Sequence, residues 1–174
     1  MLKRWFMPDL VADAVWQIPA DWLRARGVRG IVLDLDNTII AWGGSRVEER
    51  AARWIAARRA EGFALYIVSN GLQARVQAIA SHVGAPYCAH ACKPLARGFR
   101  AALRALSLEA SQVAVVGDQL FTDVAGGKRL GCHTVLVKPL GAREFPTTKL
   151  SRVLERFVLR CAQTEKASGG GEGK

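Results

Sequence analysis

Gly30-Ile31-Val32-Leu33-Asp34-Leu35-Asp36-Asn37-Thr38 joins a β-branched apolar run to two carboxylates one residue apart. A run of this kind reads as a buried strand that ends on the acids. In an open α/β sheet, ligands bind outside the carboxyl ends of the strands, so Asp34 and Asp36 stand where chemistry is done. Taken alone, the pair is as compatible with Asp residues that cap the next loop. The rest of the chain has to decide.

Outward from that stretch, helix-length and strand-length segments alternate. Arg46 to Glu61, rich in Ala, Arg and Glu and stopped by Gly62, predicts a helix. Phe63 to Val68 predicts a second strand, closing on Ser69-Asn70-Gly71, and Leu72 to Val83 a helix stopped by Gly84. Pro86 to His90 predicts a short strand, and Leu95 to Leu106 a helix with Pro94 at a favoured first-turn position. Val113 to Val116 predicts a buried strand ending in Gly117-Asp118, Thr122 to Leu130 a helix ending at Gly131, and Thr134 to Val137 a fifth strand. Five strands alternating with helices predict an α/β fold, a doubly wound parallel sheet with helices on both faces.

The 174 residues, half of them hydrophobic, suffice for one domain with its own core. Residues 1–163 form that domain in this reading, and 164–174, dominated by Ser, Gly, Glu and Lys, a disordered tail. Leu10, Val11, Ala14, Val15 and Ile18 recur at helical spacing and predict an N-terminal amphipathic helix, preceded by Trp5-Phe6 and the basic Lys3-Arg4. Leu150, Val153, Leu154, Phe157, Val158 and Cys161 predict a second at the C-terminus, with Lys149, Arg152, Arg156 and Arg160 as a basic stripe. Apolar runs fall far short of the ~18 to 20 residues that span a bilayer. Pro8, Asp9 and Asp13 interrupt any signal-peptide core, so the expected location is the cytoplasm.

The net charge of +10 calls for an anionic partner, whether nucleic acid, anionic lipid or a phosphorylated substrate, without choosing among them. Four cysteines are too few and too irregular for a disulfide scaffold. Cys88, His90 and Cys92, with Cys132-His133, are zinc-ligand types, but they lack the short spacing of a zinc knuckle. Cys88, His90 and Cys92 share a face only if Cys88 lies in regular strand.

Four strand ends in succession carry a functional group: Asp34 and Asp36, then Ser69, then Lys93, then Asp118 with Asp123 in the following turn. Each has a bland explanation, since Ser69-Asn70-Gly71 makes a turn, Lys93 a solvated loop cation, and Asp118 or Asp123 a helix cap. Separate caps and turns do not explain the ordered set.

With those residues in order, the chain resembles the haloacid dehalogenase superfamily, whose motifs are D-x-D-x-T, S/T, K, and G-D followed by a second acid. The match runs from residue 30 to residue 137. Asp34-Leu35-Asp36-Asn37-Thr38, Ser69-Asn70, Lys93-Pro94 and the run from Gly117 to Gly131 are similar to the YqeG branch of subfamily IIIA, as are the aromatic-Pro-Asp opening and the basic C-terminal helix. Gly71 and Lys128 stand where that branch commonly has Asn. The resemblance implies a five-stranded Rossmann-like sheet and a phosphatase. It makes Asp34 the nucleophile that forms an aspartyl-phosphate, Asp36 the general acid and base, Ser69, Asn70 and Lys93 the phosphate-binding groups, and Asp34, the Asp36 carbonyl, Asp118 and Asp123 the surroundings of a Mg²⁺ ion. The physics is consistent with those roles. A carboxylate approaching a phosphoryl dianion at about 4 Å meets ~8 kcal/mol of repulsion at an effective dielectric near 20, roughly six decades in rate if unrelieved.

The segments from Asp34 to Ser69 and from Asn70 to Lys93 each leave no room for a cap domain, typically 50 residues or more. An open site suits a head group on a large carrier. YqeG-like proteins resemble the phosphatidylglycerophosphate phosphatases of mitochondria and plastids, which implies a phospholipid head group as substrate and a peripheral position at the inner face of the membrane. The mixture of Trp5, Phe6 and basic stripes fits that implication, although both terminal helices could equally pack on the sheet. Soluble sugar or nucleotide phosphates, or a phosphoprotein, form the alternative substrate class. A basic RNA- or ribosome-binding protein with a vestigial site is a third reading. The intact motif set, and the lack of an RNA-reading signature or aromatic stacking platform, argue against nucleic acid as partner.

Overall fold

β2 (Gly30–Leu33) is buried at every position and lies near the centre of the sheet, as an uninterrupted apolar run requires when both faces are covered. In the computed structural model, which describes residues 3–141, the other strands are β1 (Leu10–Ala12), β3 (Ala64–Val68), β4 (Tyr87–Cys88), β5 (Val113–Gly117) and β6 (His133–Val137). The sheet order is β1-β6-β5-β2-β3-β4, and every neighbouring pair is parallel. The chain winds from β2 outward to β3 and β4, then returns to place β5 on the other side of β2. The β2–β5 boundary is therefore the switch point at which a doubly wound sheet opens a crevice.

Side-chain alternation sends Ile31 and Leu33 to one face and Val32 to the other. On the first face they pack with Ala51, Trp54 and Ile55 of α3 (Glu49–Ala60) and with Val76, Ile79 and Ala80 of α4 (Gln73–Val83). On the second, Val32, Val113 and Val115 pack with Phe99 and Ala102 of α5 (Ala96–Leu106). Gly126 in α6 (Ala125–Leu130) lets Phe99 approach, since a Cβ there would lie 2.3 Å from the ring.

The N-terminal segment departs from the sequence expectation. In place of an amphipathic helix from Leu10 to Ile18, Leu10–Ala12 is an edge strand in register with Val135–Val137, followed by a 3₁₀ turn at Val15–Gln17 and the short α2 (Ala20–Arg24). The sheet thus has six strands rather than five. Asp9 explains why: its backbone N–H donates to the Thr134 carbonyl at 2.9 Å, and its carboxylate accepts from Thr134 N at 2.8 Å and from Lys128 Nζ at 2.5 Å. Burial opposes ionisation of Asp9, but these partners hold its carboxyl below the ordinary value. Pinned there, the next residues satisfy the otherwise unpaired edge of β6, while Val15 and Ile18 still reach the core. Two smaller differences concern the third strand, which stops at Cys88, and the expected helix from Thr122, which begins as a π-type turn over Leu120–Val124.

Ahead of β1 lies the single-turn α1 (Lys3–Phe6), whose Phe6 ring packs on Phe121 with centroids 5.1 Å apart. No helix among the described residues is long and apolar enough to cross a membrane. The C-terminal stripes from Lys149 to Cys161 and the tail 164–174 lie outside the described residues.

Candidate active site

The four strand ends meet at the carboxyl edge of the sheet. Asp34 follows β2 directly and is fixed by its backbone N–H, which donates to the Val116 carbonyl of β5 at 2.9 Å. Asp118 follows β5 one position further on and is fully buried. The π-type turn carries Asp123 back over the end of β5, where its Oδ2 accepts from Gln119 N at 3.2 Å. Only glycine permits that return: a Cβ on Gly117 would lie 2.2 Å from the Asp123 carboxyl carbon.

Asp34, Asp118 and Asp123 are all buried, and each offers a carboxylate oxygen within 4.8 Å of the others. Lys93, also buried, closes the cluster, with Nζ 2.5 Å from Asp34 Oδ1 and 2.7 Å from Asp123 Oδ1. Burial pushes the Asp34 carboxyl up to about 7; Lys93 opposes the shift and Asp123 adds to it. Burial would depress the Lys93 ammonium, but Asp123 and Asp34 outweigh it and raise its pKa.

Ser69 lies at the tip of β3, 1% exposed, with Oγ accepting from Gly71 N at 3.0 Å. Asn70 lines the same cavity, yet its amide also braces Lys93: Oδ1 accepts from Lys93 N at 2.8 Å and Nδ2 donates to Lys93 O at 3.4 Å. The cavity, about 370 Å³, is lined by Asp34, Asp36, Ser69, Asn70 and Lys93 together with Asn37, Trp42, Gln119 and Thr122. All seven sequence-predicted site residues thus reach this cluster or the cavity beside it.

Asp36 lines the cavity but is not one of the three clustered acids. Arg75, in the first turn of α4, holds both its oxygens, with Nη2 2.7 Å from Oδ1 and Nη1 3.0 Å from Oδ2. Sequence reasoning missed Arg75, because its partner lies 39 residues away. One signal was available: a cation in the first turn of a helix opposes the helix dipole and needs a compensating anion.

Against this geometry the comparisons are decisive. Residues 44–131 match the model of the haloacid dehalogenase-like hydrolase family. The protein named Probable phosphatase YqeG, from Bacillus subtilis (strain 168), is 36% identical over 159 residues, 91% of this chain and 92% of that one. The chain belongs to the haloacid dehalogenase-like hydrolases. Within that superfamily it is a YqeG-like phosphatase, so its substrate is a phosphorylated compound. A protein named phosphatidylglycerophosphate phosphatase 1, chloroplastic, from Chlamydomonas reinhardtii, is 32% identical over 88% of this chain, which spans 61% of that protein. Among solved structures, the cobalt-bound deoxy-D-mannose-octulosonate 8-phosphate phosphatase of Haemophilus influenzae shares the fold, with a TM-score of 0.53 at 12% identity over 79% of this chain and 90% of that one.

Phosphatases of this superfamily typically use a divalent metal, and the donor set fits one. Three buried carboxylates face one ammonium, an excess of negative charge that a divalent cation would neutralise, and all-oxygen donors select a hard ion. The thiols do not make a second such group among the described residues. β4 ends at Cys88, and His90 and Cys92 both take left-handed φ (46° and 53°), so strand alternation does not align the three. Cys132 is buried elsewhere, its thiol pushed up to about 12 by burial.

Proposed function

We propose that the chain is a Mg²⁺-dependent phosphomonoester hydrolase that works through an aspartyl-phosphate on Asp34 and removes the terminal phosphate of phosphatidylglycerophosphate to give phosphatidylglycerol. The observation that carries the chemistry is the bridging of Asp34 and Asp123 by the Lys93 ammonium beside Asp118. Asp34 is held at a buried strand tip, so it loses little entropy on attack. Lys93 keeps its proton and stays as fixed positive charge where the phosphoryl oxygens would lie. The Ser69 hydroxyl can donate to one of those oxygens. Asp36 protonates the leaving alkoxide and then takes a proton from the attacking water. Asp34, the Asp36 carbonyl and Asp118 would hold Mg²⁺, with Asp123 supporting them; when bound, the ion supplies the remaining charge compensation for the phosphoryl dianion.

Support for a lipid substrate comes from two directions. One is the 32% identity to the Chlamydomonas protein. The other is an apolar groove of about 560 Å³ between Trp5, Phe6, Pro94 and Phe121, with Arg129 at its edge. Pro94 follows Lys93, and Phe121 precedes Thr122, so groove and site share these two segments as walls. The glycerolipid portion of the substrate is the occupant this continuity favours, with Arg129 facing its phosphodiester. Trp42, Leu72 and Leu95, 41%, 71% and 58% exposed, follow three successive strand tips and form the proposed contact with the membrane surface.

The test is turnover by the purified chain of phosphatidylglycerophosphate in mixed micelles against a panel of soluble sugar, nucleotide and protein phosphomonoesters. A kcat/KM at least ~100-fold higher for the lipid is expected, a difference of about 2.7 kcal/mol in transition-state binding. Equal or better turnover of a soluble ester overturns the lipid assignment and leaves the hydrolase.

A further inference from the structure

The Asp36–Arg75 pair is a two-point grip. Beyond the two bonds to the carboxylate, Arg75 Nη2 donates to the Gly44 carbonyl at 2.9 Å, so one guanidinium ties the acid after β2 to the loop that carries Trp42 onto the cavity wall. Both partners are only partly exposed, at 29% and 26% of their side chains. Gly71 stands beside the grip: a Cβ there would lie 3.7 Å from Arg75 Nη1.

We propose that Arg75 is the positioning residue for Asp36, fixing the plane of its carboxylate and releasing one oxygen to the substrate in each half-reaction. The proposal rests on the reading of Asp36 as the general acid and base. A guanidinium fork sets the orientation of a carboxylate as well as its charge, which an ammonium does not. With both oxygens bonded to Arg75, opening one N–H···O bond leaves that oxygen free to reach the leaving group. The bond that remains keeps the freed oxygen over the cavity. In the first half-reaction an Asp34 oxygen bonds to phosphorus, the ester P–O bond breaks, and the proton on Asp36 passes to the departing alkoxide. In the second, water bonds to phosphorus and gives its proton to the Asp36 carboxylate as the phosphorus–Asp34 bond breaks and inorganic phosphate leaves. Arg75 never gives up a proton in this cycle, because guanidinium does not deprotonate in proteins.

The experiment compares wild type, Arg75→Ala and Arg75→Lys on glycerol phosphate, whose alkoxide needs a proton to leave, and on nitrophenyl phosphate, whose phenolate does not. Rates of the first turnover are measured by rapid quench, and the same substitutions are repeated in an Asp36→Asn background. Arg75→Ala should lower first-turnover phosphorylation by glycerol phosphate about tenfold to a hundredfold, a portion of the 10²–10⁴ that general acid catalysis contributes. KM should stay within about threefold, and the burst with nitrophenyl phosphate should be nearly unchanged. Arg75→Lys should recover only part of the loss, and in the Asp36→Asn background neither change should cost anything further. A residue that merely held the loop at Gly44 would slow both substrates equally, and it would do so with Asp36→Asn as well. Either result overturns the proposal. Should Arg75→Ala fail to fold, Arg75→Lys carries the same comparison. A wild-type chain that turns over neither ester, nor phosphatidylglycerophosphate in mixed micelles, fails the proposed function itself, an outcome distinct from an active enzyme indifferent to Arg75.

Discussion

The Lys93 ammonium sits 2.5 Å from Asp34 and 2.7 Å from Asp123, buried with both. It is therefore the counter-charge between the acid that follows β2 and the acid that the turn after β5 carries back over the sheet edge. The arrangement also explains why Asn70 spends its amide on the Lys93 backbone: a buried cation that must serve two carboxylates has to be fixed along its length.

Lys93→Met should accordingly be destabilising as well as inactive. Removing one member of a buried ionic set leaves uncompensated charge and costs about 3–5 kcal/mol. Asp34 then loses the main partner that opposes its upward shift, keeping only the hydrogen bond from the Leu35 backbone. The check is a urea melt alongside turnover, and added Mg²⁺ should restore part of the stability but not the rate. A variant as stable as wild type in metal-free buffer would contradict the ionic role.

Asp34→Asn should abolish both turnover and the acid-stable phosphoenzyme, because in the proposed mechanism only Asp34 becomes covalent. Asp36→Asn should still be phosphorylated by nitrophenyl phosphate but should release phosphate slowly, by about 10²–10⁴. Radiolabel trapping distinguishes them: label on the Asp34→Asn protein would sink the nucleophile assignment.

Most of this site is legible in the sequence because Asp34, Ser69 and Asp118 follow strand-forming runs directly, and parallel strands bring the ends of such runs to one edge. What escapes is what depends on partners distant in sequence. Leu10–Ala12 is too short to show a period of two, and its apolar neighbours at 14, 15 and 18 imitate a helical period, so the strand emerges only once Asp9 is seen on Thr134. Arg75 looks like any solvated helix cation until Asp36 is placed against it. The π-type turn at Leu120–Val124 is set by the return of Asp123 over Gly117, a close approach that no local propensity encodes.

Metal and pH should act on stability together. Asp34, raised from its ordinary 3.8 to about 7, keeps a proton in the folded chain where the unfolded chain has lost it. Its contribution is thus fully present below about pH 4 and is lost as pH rises through about 7. Lys93, whose pKa is also raised, keeps its contribution across this window. Metal-free wild type should therefore lose more thermal stability between pH 5 and about pH 7.5 than Asp34→Asn does. Mg²⁺ should raise Tm more at the higher pH, where the carboxylate is ionised, and chelation should stop turnover. Identical pH slopes for the two proteins would show that Asp34 does not titrate in this range.

The proposed membrane face leads to a last expectation. Among the described residues, Leu72 and Leu95 are large exposed apolar side chains that follow strand ends without lining the catalytic cavity. Burying a leucine in lipid is worth ~1.5–3 kcal/mol, so Leu72→Ser with Leu95→Ser should weaken sedimentation with vesicles by about two decades or more. The cations Lys149, Arg152 and Arg156 add ~1 kcal/mol each on a strongly anionic surface. Replacing those three with Gln should remove the preference for anionic over neutral vesicles, and so should high salt, where the Debye length shortens to ~3 Å at 1 M. Neither set replaces one of the acids, Ser69 or Lys93, so hydrolysis of a small soluble ester should be unchanged in both, while turnover of the lipid in vesicles falls with binding. If vesicle turnover survives loss of binding, the substrate reaches the site from solution and the exposed leucines serve some other contact. Equal binding of wild type to neutral and anionic vesicles would remove the basic stripe from the account and leave only the apolar rim.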